Sequence, residues 1–303
     1  MAVKDIDISI VIRTKNEESS IARVLERVSV QSYPGNYEII IIDSGSTDRT
    51  AQIVSGFAVN FQVINKEPFS YGYALNYGQK LSSGRIIVFL SAHCVPVDAQ
   101  WLSNLLAPLE KDKHAGAAYG RQLPVKGVNP VEEFELGIFF PQGNLPPKAV
   151  FSNANCAIRK EILEQHPFNE EIAYGEDFLW RNKLPADIGV VYARDAQVYH
   201  SHPSSLRYWV NHHQRIGMAG QYLQRVEGVE DFYGRKGSWL RKALSRLRYM
   251  VFFIRKGYLK AFFVFPALEL IRSIFYVRGV KIGKKKYAGY SRKIVCSGQN
   301  NLL

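Results

Sequence analysis

The side chains of this chain best suited to chemistry are three histidines and a pair of acids. His200-Ser201-His202 places two imidazoles two residues apart, and His93 stands just past an apolar run. In an extended segment His200 and His202 share one face. That suits either a hydrogen-bonded surface pair or part of a metal site. Glu176-Asp177 follows a Tyr174-Gly175 turn and leads into Phe178-Leu179-Trp180. Acids in a first helical turn are favoured by the helix dipole, which is a sufficient structural reason for them. Neighbouring side chains on a helix diverge, so at most one of the two faces a site. There a carboxylate can act as a general base.

Stepping outward, Arg85 is followed by five apolar residues, Ile86–Leu90, and then Ser91-Ala92-His93-Cys94-Val95-Pro96. Such a run reads as a buried strand of a parallel sheet, and the proline forbids its continuation. Ser91 and His93 are expected on one face at its carboxyl end, where open α/β sheets bind ligands. The alternative is a strand-end turn with a solvated histidine. Upstream, Ile8–Ile12, Glu38–Ile42 and Phe61–Ile64 read as further strands. Ile21, Val24, Leu25 and Val28 lie at helical spacing and stop before Pro34-Gly35. Helices are also expected over 73–82 and 98–111, and after Ser46-Thr47, with either hydroxyl as the cap. This alternation implies right-handed βαβ units, a parallel doubly wound sheet and a nucleotide across its strand ends. No G-x-G-x-x-G or G-x-x-x-x-G-K-[ST] occurs, which argues against a dinucleotide oxidoreductase and a P-loop enzyme. Residues 124–148, rich in Pro and Gly, are expected to loop over the site. A strand at Val190-Val191-Tyr192 precedes the paired histidines.

The 303 residues, 47% hydrophobic, suit one large domain or one domain with an appendage. Cys94, Cys156 and Cys296 are odd in number and lack metal spacing, which fits a reduced compartment better than a disulfide framework. Met1 leads into charged residues and then a strand, with no secretory signal pattern. The net charge of +12 is unevenly placed. Residues 235–303 hold 17 Lys and Arg against one acid, Glu269, whereas residues 1–234 hold 22 against 26. A main domain over 1–234 therefore carries a basic amphipathic segment over 235–303. In that segment the longest apolar run, Ala261–Leu268, falls far short of the roughly 18–20 residues a span requires. Short apolar faces beside cations fit interfacial helices on an anionic membrane. Packing on the main domain and homo-oligomerisation are the rival readings. No recognition motif accompanies the charge, so nucleic acid is not an expected partner.

Taken in order, the loops resemble those of family 2 glycosyltransferases of the GT-A fold, a Rossmann-like nucleotide-binding sheet, over about residues 6–218. Arg13-Thr14-Lys15-Asn16-Glu17-Glu18 is similar to the family's first-strand loop, which touches base and ribose. Ile42-Asp43-Ser44-Gly45-Ser46-Thr47-Asp48 is similar to its second-strand loop, whose acid hydrogen-bonds the base. Ala74-Leu75-Asn76-Tyr77-Gly78 resembles the A-R-N-x-G helix, with Leu75 in place of arginine. Gly175-Glu176-Asp177 resembles the acceptor-side motif whose second acid is the catalytic base. Where the family carries D-x-D to hold a cation against the donor diphosphate, this chain reads Ser91-Ala92-His93. Some GT-A relatives use D-x-H with a distant second histidine, so the resemblance implies His93 paired with His200 or His202. Imidazole binds Mn²⁺ or Zn²⁺ better than Mg²⁺, which makes Mn²⁺ the expected divalent cation. The metal-free rival neutralises the diphosphate with Arg13, Lys15, Arg159 and protonated His93.

The resemblance implies inverting, non-processive transfer of a sugar from a nucleoside diphosphate of UDP or dTDP type. The acceptor would be a hydroxyl of a glycan or polyprenyl-linked carrier, reached in the cytoplasm at the inner face of the membrane. Asp177 with Glu176 would form the catalytic pair. The donor would meet Arg13, Thr14, Asn16, Glu17, Asp43, Ser44, Asn76, Ser91, Ala92 and His93. Trp180 is expected in the core, with sugar stacking as its functional alternative. The motif spacing, with Gly120-Arg121-Gln122-Leu123-Pro124, looks most like the rhamnosyltransferase-like branch, which builds bacterial surface polysaccharides. The Q-x-x-R-W motif of processive synthases is absent. The competing class is a non-catalytic nucleotide-sugar-binding or scaffold protein of a polysaccharide assembly complex. The altered D-x-D and Leu75 favour it, and the Glu176-Asp177 pair weighs against it.

Overall fold

Strands buried on both faces need apolar side chains on both, and three of the first four strands have them. The computed structural model describes residues 6–65, 67, 69–143, 151–202, 205–229 and 239–290. Strands β1 (Ile8–Thr14), β2 (Tyr37–Asp43), β3 (Asn60–Val63) and β4 (Ile86–Ser91) pair in parallel. Helices α1 (Ile21–Val28), α2 (Thr50–Val54) and α3 (Tyr71–Leu81) link them. Ile10, Ile12, Val88 and Leu90 pack with Val24 and Leu25 of α1 and with Leu102 and Leu105 of α4 (Trp101–Lys111). The alternate residues Val11, Ile40, Ile42, Ile87 and Phe89 form a second cluster with Ala74 and Leu75 of α3. Leu75 is wholly buried there, so no cationic side chain reaches out from that position. Trp180 joins the same cluster between Phe151 and Phe168, and its indole N–H donates to the His166 carbonyl. It is a core residue.

Beyond the four parallel strands, which are those expected, the sheet becomes mixed. Strands β5 (Val95–Pro96), β6 (Ala115–Pro124), β7 (Asn155–Arg159) and β8 (Gly189–His200) complete the order β3-β2-β1-β4-β7-β6-β8-β5. β7 runs antiparallel to β4 and β6, β8 parallel to β6, and β5 antiparallel to β8. The expected loop over 124–148 contains helix α5 (Pro130–Phe139); residues 144–150 lie outside the described ones. Asn129 accepts from the Val131 N–H and Pro130 occupies the first turn, a strong helix start. The helix after Ser46-Thr47 begins only at Thr50, because Ser46 is drawn into other bonds described below. Helices α6 (Lys160–Gln165) and α7 (Glu176–Lys183) follow β7.

The chain divides into two units, one of Met1–Glu171 with Glu176–His202, the other of Ile172–Gly175 with Pro203–Leu303. The second unit thus takes in residues ahead of 235 as well as the expected C-terminal segment. The physical reason is that α8 (Leu206–Arg225) packs closely on α10 (Leu259–Lys286). A Cβ at Gly279 would collide with the Gln214 carbonyl, and one at Gly217 with that of Tyr276. Helix α9 (Trp239–Arg255) folds back on α10, with the Tyr249 ring stacked on that of Phe265 at a centroid distance of 4.9 Å and the Phe253 ring edge-on to it at 5.4 Å. Among the described residues no helix is long and apolar enough to cross a membrane.

Candidate active site and metal centre

Parallel pairing brings the carboxyl ends of three strands level. Thr14 lies opposite Asp43, and Arg13 opposite Ser91. Backbone bonds carry the pairing into the loops: Ser44 N–H donates to Thr14 O at 3.0 Å and Ala92 N–H to Arg13 O at 3.2 Å. The loops after β1 and β2 then bind each other. Asn16 adopts φ 56°, a left-handed conformation that asparagine tolerates. Its N–H donates to Ser46 Oγ and its side-chain oxygen accepts from Thr47 N–H, both at 2.8 Å. Asp43 accepts from the Gly45 and Ser46 N–H groups and from the Ser46 hydroxyl, so its carboxylate shapes its own turn. Thr14 is buried, and its hydroxyl has no partner among the described residues.

The imidazoles meet because of strand register. Antiparallel pairing sets Val95 against Tyr199 and Pro96 against Val198. Carried two residues further, the same register sets His93 against Ser201, between His200 and His202. The ring centroids of His93 lie 5.0 Å from His200 and 5.4 Å from His202, and those of His200 and His202 4.4 Å apart. One nitrogen from each ring can be chosen so that all lie within 4.8 Å of one another. Each Nδ1 faces an acceptor: Glu17 Oε1 at 2.8 Å for His93, Gln122 Oε1 at 2.5 Å for His200, and Glu132 Oε1 at 2.9 Å for His202. An Nδ1–H that donates leaves Nε2 as the ligand atom, and such oriented imidazoles are the usual support of metal sites. His200 Nε2 is buried with no hydrogen-bond partner among the described residues. Burial, and then the charges of His202 and His93, hold His200 well below its ordinary value, in the neutral form a metal requires. Burial opposes ionisation of Glu17, but the bond to His93 and that ring's charge prevail and hold it below the usual carboxylate range. These residues fit a divalent cation of nitrogen-ligand preference.

A short chain of bonds leads from here to the acids. Arg13 lies 4.9 Å over the Tyr71 ring and donates to Asn153 Oδ1 at 3.0 Å. Asn153 Nδ2 donates to Glu176 Oε1 at 2.8 Å. Asp177, next along α7, accepts from the Phe178 N–H. Burial first, and then the neighbouring Glu176 charge, raise the Asp177 carboxyl to about 7. Glu176 is buried and tied to Asn153, whereas Asp177 is half-buried.

Several expected positions differ. Ser91 ends β4, but Ala92 and His93 form a turn, so the pleat does not put Ser91 and His93 on one face. Ala92 is buried in the core. Glu17, expected at the donor, instead holds His93 and the Ser20 hydroxyl. Asn76 is not brought to the strand ends by its side chain, which clamps the Phe168 backbone and Glu170. Arg159 pairs with Ile86 at the opposite end of β4 and donates to the Ala115 and Leu109 carbonyls, so it cannot neutralise a ligand at the carboxyl edge. Gln122, Glu132 and Asn153 were not legible as site residues. Gln122 lay in the Gly120–Pro124 stretch and Glu132 within the 124–148 segment expected over the site, and nothing in the sequence marked Asn153.

A parallel nucleotide-binding half, followed by mixed strands that bring acids and imidazoles to its carboxyl edge, defines a GT-A type α/β fold. Mannosyltransferase PcManGT from Pyrobaculum calidifontis, solved with GDP-Man and Mn²⁺, superposes with TM-score 0.58 at 16% identity, over 95% of this chain and 91% of that one. Residues 9–166 match the model of glycosyl transferase family 2, and the chain belongs to that family. It is 27% identical over 286 residues to O-antigen chain rhamnosyltransferase RfbN of Salmonella typhimurium, covering 87% of this chain and 88% of that protein. It is 29% identical over 256 residues to O-antigen chain rhamnosyltransferase WbaN of Salmonella anatum, covering 77% and 79%.

Proposed function

We propose that the chain performs inverting, non-processive transfer of a sugar from a UDP- or dTDP-type donor to a hydroxyl of a glycan or polyprenyl-linked acceptor, in O-antigen-type polysaccharide assembly. The observation that carries this reading is the cluster of His93, His200 and His202, together with the Arg13–Asn153–Glu176 bonds that lead to Asp177, whose carboxyl is raised to about 7. A base poised near neutrality accepts the acceptor's proton as its oxygen attacks the anomeric carbon. Glu176 raises the proton affinity of Asp177 and, through Asn153, fixes Arg13. Arg13 offers its charge to the donor diphosphate, while Thr14, Ser44 and the Asn16–Ser46 turn frame the nucleoside. His93, His200 and His202 hold a divalent cation, Mn²⁺ in preference to Mg²⁺, which supplies positive charge for the departing diphosphate. Because all three ligands are neutral, that charge is not quenched directly; Glu17 and Glu132 balance it through the rings. The rhamnosyltransferase relatives support the polysaccharide setting and a deoxyhexose-type donor.

The test is thermal stability with UDP, dTDP, GDP and CDP, each with Mn²⁺, Mg²⁺ or EDTA. A nucleotide at a hundred times its dissociation constant adds roughly 2.7 kcal/mol. One nucleotide stabilising only with Mn²⁺ is expected. An equal shift in EDTA would remove the metal from the reading, and no shift with any nucleotide would remove the donor. Retention of anomeric configuration in the product, read by NMR, would sink inversion.

A further inference from the structure

The second unit exposes apolar surface where its own packing does not need it. On α9, Leu244, Leu247, Val251 and Ile254 recur every three or four residues and are all exposed. On α10, Leu259, Phe263, Leu270, Ile274 and Val277 form a second exposed stripe, with Phe263 at 76% and Leu270 at 64%. At 1.5 Å per residue that stripe runs for about 27 Å. The packed faces lie elsewhere on each helix: Tyr249 and Phe253 of α9 meet Phe265 of α10, and Gly279 and Gly283 lie against α8. Exposed cations accompany the stripes. Arg248 and Arg255 flank the one on α9, and Lys281, Lys284 and Lys285 continue the one on α10.

We infer that these two stripes form a docking surface for an anionic lipid bilayer, with α9 and α10 lying in the headgroup region without spanning it. This does not rest on the sugar-transfer reading. Apolar stripes this long, edged by Lys and Arg, match the apolar face and charged rim of interfacial helices. Charge complementarity selects the occupant. Residues 235–303 carry 17 Lys and Arg against one acid, so a second copy would bring like charge against like. An anionic leaflet neutralises that charge while it takes up the apolar ridges. A span is not available, because no described helix is long and apolar enough.

The experiment is flotation of the full chain with vesicles of phosphatidylcholine alone or with phosphatidylglycerol added, at low and high salt. The protein should float with the anionic vesicles, much less with the neutral ones, and less at high salt. The exposed pair Phe263→Ser with Ile274→Ser should weaken binding roughly tenfold or more. Lys281→Ser, Lys284→Ser and Lys285→Ser together should weaken it roughly a hundredfold. Melting curves with nucleotide serve as the control for folding and for the donor site. Loss of the nucleotide shift alone would count against the transfer reading and leave this one standing. Wild-type protein that stays off anionic vesicles, or floats equally with neutral ones, overturns the inference. So does a dimer seen by light scattering that the Phe263→Ser and Ile274→Ser changes dissolve without any effect on flotation.

Discussion

In the parallel half of the sheet Asp43 and Asn16 are committed to the loops that carry them, while Arg13 and Glu17 reach across to Asn153 and His93. In the mixed half the polar side chains gather around the imidazoles and the acids. Asp43 gives three acceptor bonds to its own turn, and Asn16 stitches two loops together. What that half offers a ligand is therefore mostly shaped backbone. β8, β5 and α7 instead deliver a buried neutral imidazole and a carboxyl raised to about 7. Both are states that folding alone disfavours, and such states concentrate where chemistry is done. On the proposed reading, one edge of the sheet thus separates holding from reacting.

The sharpest way to break this contrast is Asp177→Asn. If the mixed half does the reacting, turnover falls roughly 10²–10⁴-fold while nucleotide binding stays nearly intact. The same variant carries a stability signature of defined sign. The folded-state value is raised, so the native state holds a proton that the unfolded chain gives up. That contribution is full below the unfolded value and is lost as pH rises through about 7. Asn, always neutral, should add little stability below pH ~4 and a few kcal/mol above pH ~7. Wild-type turnover should accordingly rise with pH through neutrality. A flat profile with unchanged turnover in Asp177→Asn would put the base elsewhere.

A smaller effect is expected at Gln122, whose side-chain oxygen faces the His200 ring while its amide N–H donates to the Ser152 hydroxyl. Gln122→Leu removes the acceptor for Nδ1–H and should weaken Mn²⁺ or Co²⁺ binding roughly 10–100-fold, read by titration without nucleotide. Gln122→Glu keeps an acceptor and adds negative charge, so it should restore affinity. If Leu and Glu behave alike, Gln122 is a packing residue and the contrast weakens.

The two halves also differ in what the sequence reveals. β1, β2 and β4 are legible because burial on both faces leaves apolar runs that no helix period explains, whereas the edge strand β3 has no buried residue. β6 reads Ala-Gly-Ala-Ala-Tyr-Gly, without β-branched residues, because its neighbours approach closely. A Cβ at Gly120 would strike the Ala196 carbonyl and the Asn155 amide. The register slips there, from Gly120 opposite Ala193 to Arg121 opposite Gln197, and this sets Gln122 beside His200. No local pattern encodes such a bulge. The three histidines were visible as residues, and their meeting depends on the Val95–Tyr199 pairing, a long-range fact. Helix α5 is a different matter. Asn129-Pro130 with Glu132-Glu133 is a helix start that the surrounding Pro and Gly content obscured. Arg159 shows the limit of counting cations, because charge without position cannot tell one end of a strand from the other.

The smallest effect tests the holding half. Asn16 sits at φ 56°, where alanine costs roughly 1–2 kcal/mol and glycine nothing sterically. Both substitutions lose the bond to the Thr47 N–H, a net of about 0.5–1.5 kcal/mol. Asn16→Ala should therefore lower the urea midpoint more than Asn16→Gly does. Asn16→Asp, which keeps an acceptor and tolerates the backbone, should cost least. Because the residue bonds the loops proposed to frame the nucleoside, donor KM should rise in the same order with kcat little changed. Equal losses for Ala and Gly would mean that the cross-loop bond alone matters and that the backbone turn is unstrained. A fall in kcat equal to the rise in KM would place Asn16 on the reacting side of the sheet.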